Sequence, residues 1–135
     1  MFTKSLLDSW IREYSDEKNY HWAIELKEIN EVIGDIDVFN LKDKHSSCEI
    51  GYCLSRAFWN KGIMSEALNA VIKYLFDEVG LNRIVAMHNT KNIASGKVMI
   101  KNDMKFEGTL RQASKLGDSF YDLNVYSILK SEWKA

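Results

Sequence analysis

The chain has 135 residues, with 18 Lys and Arg against 19 Asp and Glu, a formal net charge of −1, 46% hydrophobic and 27% charged residues. That length fits one folding unit, residues 1–135, and the apolar share excludes wholesale disorder. The near-neutral balance excludes a bulk electrostatic pull toward nucleic acid or a membrane surface, so any activity has to come from a local site.

In chain order, Phe2, Leu6, Leu7, Trp10, Ile11 and Tyr14 fall at helical intervals with charges between them, which predicts an amphipathic helix over Phe2 to Tyr14. Tyr20 to Lys27 and Val32 to Phe39 read as a strand pair around a turn at Glu28 to Glu31, with Gly34 as a soft point. Asn40 to Ser46 is polar enough for a loop, and Ser47 to Leu54 resumes as a third strand. The period then changes: Ala67, Leu68, Val71, Ile72, Leu75 and Phe76 share one helical stripe, with Gly80 where a C-terminal stop belongs. Arg83 to Met87 follows as a short apolar strand. Asn92 to Lys101 is expected to be a helix opened by Asn89 or Asn92, and Met104 to Gln112 and Phe120 to Leu129 are strands around a turn at Gly117-Asp118. A meander followed by a strand–helix–strand passage predicts an α/β (α+β) fold, with a mixed, mostly antiparallel central sheet flanked by helices.

The two cysteines, Cys48 and Cys53, are five residues apart, so on a strand they face opposite sides and are expected to be reduced packing residues. No apolar run of about 18 residues and no leader pattern can be drawn, which makes the cytoplasm the expected location and a membrane partner unexpected. His21, His45 and His88 show no paired ligand spacing with the cysteines, so no metal is expected. Tyr20, Trp22, Phe39, Tyr52, Phe58 and Trp59 lack an interleaved basic stripe and read as packing rather than a nucleic-acid platform. Ser55, Ser65 and Ser95 lack the Gly-x-Ser-x-Gly pattern of a hydrolase elbow.

The strand–helix junction Phe58 to Ala67 carries the chemistry. Gly62 permits close backbone approach, the first helical turn leaves N–H groups unpaired, and Lys61 and Ser65 add a charge and a hydroxyl, so a diphosphate could sit there. An ordinary helix start is the plain alternative. The wider pattern favours the first: Glu31-Val32-Ile33-Gly34, Glu49-Ile50-Gly51-Tyr52, Trp59 through Ala67, Gly80 through Ile84, Asn92-Ile93-Ala94-Ser95, and Glu107-Gly108 with Leu110-Arg111 occur in order.

This ordered set resembles the GNAT superfamily of N-acetyltransferases, in particular the branch that acetylates ribosomal-protein N-termini. The resemblance implies a GNAT-like fold using acetyl-CoA as co-substrate and acetylating a primary amine, a protein N-terminus or a small molecule, by direct attack. It implies cofactor contacts from Tyr52, Cys53, Leu54, Trp59, Asn60, Lys61, Gly62, Ile63, Met64, Ser65, Asn92 and Ser95. The arm of the cofactor would lie where the Glu49 to Leu54 strand splays from the Arg83 to Met87 strand, with Asn92 bonding it. Glu49 stands at the family's acidic position as general base, with an exposed structural carboxylate as the alternative. Ser95 replaces as acid the tyrosine that many members carry at the place of Met99, with a capping serine as the alternative.

The pattern departs from the family at Asn60 and Met64, where glycine and a small residue are usual, and at Asp103-Met104, where Gly-Phe is usual. The family's front strand and helix are also expected to be missing before Lys4. That absence would bare one edge of the Tyr20 to Lys27 strand and favour a homodimer through that edge or the N-terminal helix. The competing class is a catalytically impaired CoA-binding or protein-interaction domain.

Overall fold

The computed structural model describes residues 5–8, as backbone, and 20–133. Seven strands form one sheet in the order β1-β2-β3-β4-β5-β7-β6: β1 (Ser5–Asp8), β2 (Tyr20–Leu26), β3 (Glu31–Lys42), β4 (Ser47–Leu54), β5 (Arg83–Asn89), β6 (Lys105–Leu116) and β7 (Ser119–Leu129). Every neighbouring pair is antiparallel except β4 and β5. A parallel pair needs a crossover, and α1 (Ile63–Tyr74) supplies it. A second helix, α2 (Ile93–Lys101), joins β5 to β6.

Period-2 alternation explains which face of the sheet is covered. Trp22, Ile24 and Leu26 of β2, Ile36 and Val38 of β3, Cys48 and Ile50 of β4, and Ile84 and Ala86 of β5 are buried on the helix side. The predicted α1 stripe, Ala67, Leu68, Val71, Ile72, Leu75 and Phe76, is buried against them in full. After Tyr74 the helix widens into a π turn, Leu75–Val79, and stops at Gly80, whose φ of 82° is the left-handed conformation that a glycine terminator supplies. Cys48 is buried and Cys53 exposed, both unpaired, as their opposite facing predicts. The β6–β7 hairpin runs longer than its sequence pattern and turns through Gly117 at φ 61°.

Two expectations are corrected. Ser5–Asp8, inside the segment read as a helix, is a strand laid antiparallel on β2, with Ser5 opposite Leu26 and Asp8 opposite Ala23. The remainder of that expected helix lies outside the described residues. Apolar spacing cannot register a ladder with a distant strand, and here the ladder overrides the helical period. Because β1 pairs with β2 along Ala23–Leu26, that stretch of the edge on which a homodimer was expected is covered. The second correction is the segment read as a loop from Asn40: β3 instead continues to Lys42 through a bulge, and a 3-10 turn, Asp43–His45, makes the connection to β4.

Candidate active site

The cleft begins where two strands part. β4 and β5 pair from Ser47 opposite Arg83 to Ile50 opposite Ala86 and no further. β4 then continues to Leu54 along β3, while β5 continues to Asn89 along β7. Backbone groups of Gly51–Leu54 that face the gap are therefore outside any β4–β5 ladder, and an extended amide-bearing ligand could satisfy them. On the helix side the gap opens into a cleft of about 150 Å³ lined by β4, the loop before α1, the first turn of α1 and one face of α2 along its length.

Eleven of the twelve residues implied as cofactor contacts line this cleft: Tyr52, Cys53, Leu54, Trp59, Asn60, Gly62, Ile63, Met64, Ser65, Asn92 and Ser95. Lys61 lies in the same loop outside the lining. Gly62 is the N-cap of α1 at φ 78°, and no side chain caps that helix, so the first-turn N–H groups of Ile63, Met64 and Ser65 have no intrahelical acceptor. A Cβ added to Gly62 would meet nothing within 4 Å. Internal packing therefore leaves this space open beside unpaired donors at a positive helix end, which fits a diphosphate.

The family departures keep the conformations that the usual residues provide. Asn60 and Asp103, at places usually held by glycine, both sit at φ 61°, and Asn and Asp are the side chains that tolerate the left-handed region best. Met64 is buried in the core, so it does not crowd the backbone of the loop, and Met104 is likewise buried. Met99, at the tyrosine's place, is 1% exposed and packed in the core, out of reach of any ligand.

Asn92 is the N-cap of α2: its Oδ1 accepts from the Ser95 N–H at 3.2 Å. The cap is thus the asparagine, and the Ser95 hydroxyl is not consumed by that role. The Tyr52 hydroxyl donates to the Ser95 carbonyl at 2.7 Å, which ties the splayed half of β4 to the start of α2. Burial pushes this phenol up to about 12. His88 supports the same turn from below, its Nδ1–H shared between the carbonyls of Asn89 at 2.8 Å and Asn92 at 3.1 Å.

Several residues escape sequence reasoning. Lys97 and Lys101 line the cleft from α2, and their i, i+4 spacing was the available signal. Buried Asn102 donates to the Ser65 and Val98 carbonyls at 3.3 and 3.1 Å and accepts from Asn69 at 3.3 Å, bracing α1 against α2. No local pattern marks it.

Glu49 lies apart from Ser95. It faces the side of the sheet away from the helices, opposite Val85 and one rung before the strands separate. There it lines a second cleft with Asn40, Lys42, Arg83, Met87, Glu107 and others. In that cleft Arg83 forks onto Glu107 at 2.6 and 2.9 Å, and Ser127 also donates to Glu107. The guanidinium first, then the hydroxyl, hold the Glu107 carboxyl down to about 2. On the same side, the three potential metal ligands that cluster among the described residues are His21, Asp35 and Asp37. Their ring and carboxylate atoms come together across β2 and β3, a juxtaposition that linear spacing does not reveal. The ring turns Nδ1 to Asp37 and Nε2 to Asp35 at 3.8 Å, so the imidazole itself bridges the two carboxylates.

The sheet, the parting of β4 from β5 and the uncapped turn behind Gly62 can now be set beside known proteins. The acetyltransferase (GNAT) domain family matches residues 2–105, and the chain belongs to that family. It is 36% identical over 126 residues to the uncharacterized N-acetyltransferase YoaA of Bacillus subtilis, covering 93% of this chain and 71% of that protein. It is 34% identical over 98 residues to the ribosomal-protein-serine acetyltransferase of Escherichia coli, covering 73% of this chain and 55% of that protein. The ribosomal-protein-S5-alanine acetyltransferase of Vibrio fischeri shares the fold, with a TM-score of 0.82 at 24% identity over 89% of this chain and 66% of that one.

Proposed function

We propose that this protein binds acetyl-CoA in the β4–β5 cleft and acetylates a primary amine, a protein N-terminus or a small-molecule amine. The carrying observation is the coincidence in one cleft of the strand splay and the uncapped first turn of α1 behind Gly62. The N–H groups of Ile63 to Ser65 would hold the diphosphate, with Lys97 and Lys101 adding positive charge, and the gap-facing backbone of β4 would pair with the pantetheine amides. Bound there, acetyl-CoA supplies an acetyl group activated as a thioester.

The chain's own residues then have two proton tasks. Glu49 accepts a proton from the incoming ammonium, directly or through water, so that the amine attacks as the neutral species. The Ser95 hydroxyl, at the N-terminal turn of α2 on the opposite side of the sheet, would protonate the CoA thiolate that leaves as the new amide bond forms. Direct attack is the reading because no nucleophilic side chain is activated in the cleft: the only cysteine lining it, Cys53, has no histidine beside it among the lining residues. The competing reading, a CoA-binding domain without turnover, is favoured by Met99, which puts a thioether in the core where many members carry the acid.

Calorimetric titration with acetyl-CoA, followed by a panel of peptides and small amines monitored for thiol release, tests both readings. Binding with release of one thiol per acetylated amine supports the transferase. Binding without release supports the competing reading. Absence of heat at millimolar ligand overturns the cofactor assignment.

A further inference from the structure

We infer that Asn40 is a positioning residue for Glu49, aimed at it by the bulge in β3; the inference rests on the reading of Glu49 as the base. Phe39 pairs with Glu49 and Lys42 with Ser47, so Asn40 and Leu41 together face the single residue Cys48. In an unbroken strand, alternation would send Asn40 to the core face with Val38 and leave Leu41 beside Phe39 on the open face. The bulge reverses this. Leu41 packs against the core, and Asn40 lines the open-face cleft with Glu49. Its Nδ2 donates to Glu49 Oε1 at 3.1 Å. A carboxylate can only accept, so the amide nitrogen is the atom that must face it.

This arrangement has a backbone cost. Asn40 sits at φ 51°, a region that side chains other than glycine, asparagine and aspartate rarely occupy. Bulges next to active sites commonly re-aim one side chain, and strained backbone at such places points to function. Among the residues lining the same cleft, the titratable groups are Lys42, Cys48, Arg83 and Glu107, and Arg83 is already engaged by Glu107. A neutral amide can fix one carboxylate oxygen of Glu49 without neutralising it, leaving the other oxygen to take the proton. A lysine or arginine there would hold the carboxylate as an ion pair and weaken it as a base.

Two variants separate this role from a merely structural one. Asn40→Gly keeps the left-handed turn without strain and removes the amide. Asn40→Asp keeps the shape but sets a like charge on Glu49. With acetyl-CoA saturating and the amine varied, both are expected to lower kcat/KM about tenfold, with an unchanged acetyl-CoA Kd. Asn40→Asp should also move the acidic limb of the pH profile to higher pH, because a carboxylate set beside Glu49 disfavours its charged form. Wild-type turnover with Asn40 variants that keep the wild-type rate and pH profile would overturn this role alone. A wild-type protein that binds acetyl-CoA yet acetylates no amine would overturn the proposed activity, and this role with it.

Discussion

Asn60, Gly62 and Asp103 share a positive φ, at 61°, 78° and 61°, and a Cβ added at Gly62 would meet nothing within 4 Å. Replacing Gly62 by valine both strains a left-handed backbone and projects a branched side chain toward the diphosphate donors. Acetyl-CoA affinity is expected to fall by at least about tenfold, while Lys61→Ala costs less because backbone donors do the holding. Calorimetry on the two variants checks this, and a larger loss for Lys61→Ala would contradict the backbone cradle. At the base, Glu49→Gln is expected to lower kcat by about 10²-fold or more with acetyl-CoA affinity nearly unchanged. Equal turnover across pH in that variant would return Glu49 to the role of a surface carboxylate. A residue's place was legible where a motif carries it: Tyr52 of Glu49-Ile50-Gly51-Tyr52 lines the cleft. Asn102 was not legible, because it owes its place to the packing of α2 against α1, and Lys97 and Lys101 offered only their i, i+4 spacing.

At the scale of elements, β4 walls the cleft with β3 paired beside it, and Gly34 sets how closely the two strands approach. A Cβ at Gly34 would lie 2.4 Å from the Cys53 carbonyl oxygen and 3.1 Å from the Leu54 Cα, both backbone atoms that cannot swing aside. Gly34→Ala is therefore expected to destabilise the fold by about 1–3 kcal/mol. It should also weaken acetyl-CoA binding, since Cys53 and Leu54 line the cleft. Chemical denaturation and ligand titration of the variant read the two effects separately, and an unchanged denaturation midpoint would mean that the strands separate without cost. Helix α1 was readable because its stripe is long and uninterrupted and Gly80 stops it. Ser5–Asp8 was misread because a four-residue strand leaves less periodic signal than the apolar spacing around it, and its identity comes from β2.

For the whole molecule, ligand and proton linkage give the clearest readouts. Acetyl-CoA, binding the native state, should raise Tm in proportion to the logarithm of its concentration above Kd. The Arg83–Glu107–Ser127 contact ties β5, β6 and β7 together. Glu107 is held down to about 2, so its charged form is favoured by folding. That contribution is complete above the ordinary carboxylate range and is lost as pH falls toward about 2. Both side chains are more than a third exposed, so the effect is modest. Between about pH 5 and 2, wild-type Tm should fall more steeply than that of Glu107→Gln; parallel curves would show that the pair does not couple to folding.

The sequence by itself determined the composition of the core, the α1 stripe, the hairpin turn at Gly117, the opposite facing of the two cysteines and the ordered motifs of the family. These depend on local period, on turn chemistry and on residues that act through their own backbone. Only the tertiary structure decided that Ser5–Asp8 joins the sheet, that Met99 is sealed in the core, and that Glu49 and Ser95 lie on opposite sides of the β4–β5 parting. It also decided that a bulge turns Asn40 onto Glu49. Each of these depends on which strand lies beside which and in what register, and a one-residue shift in register changes the face a side chain occupies without altering any local pattern.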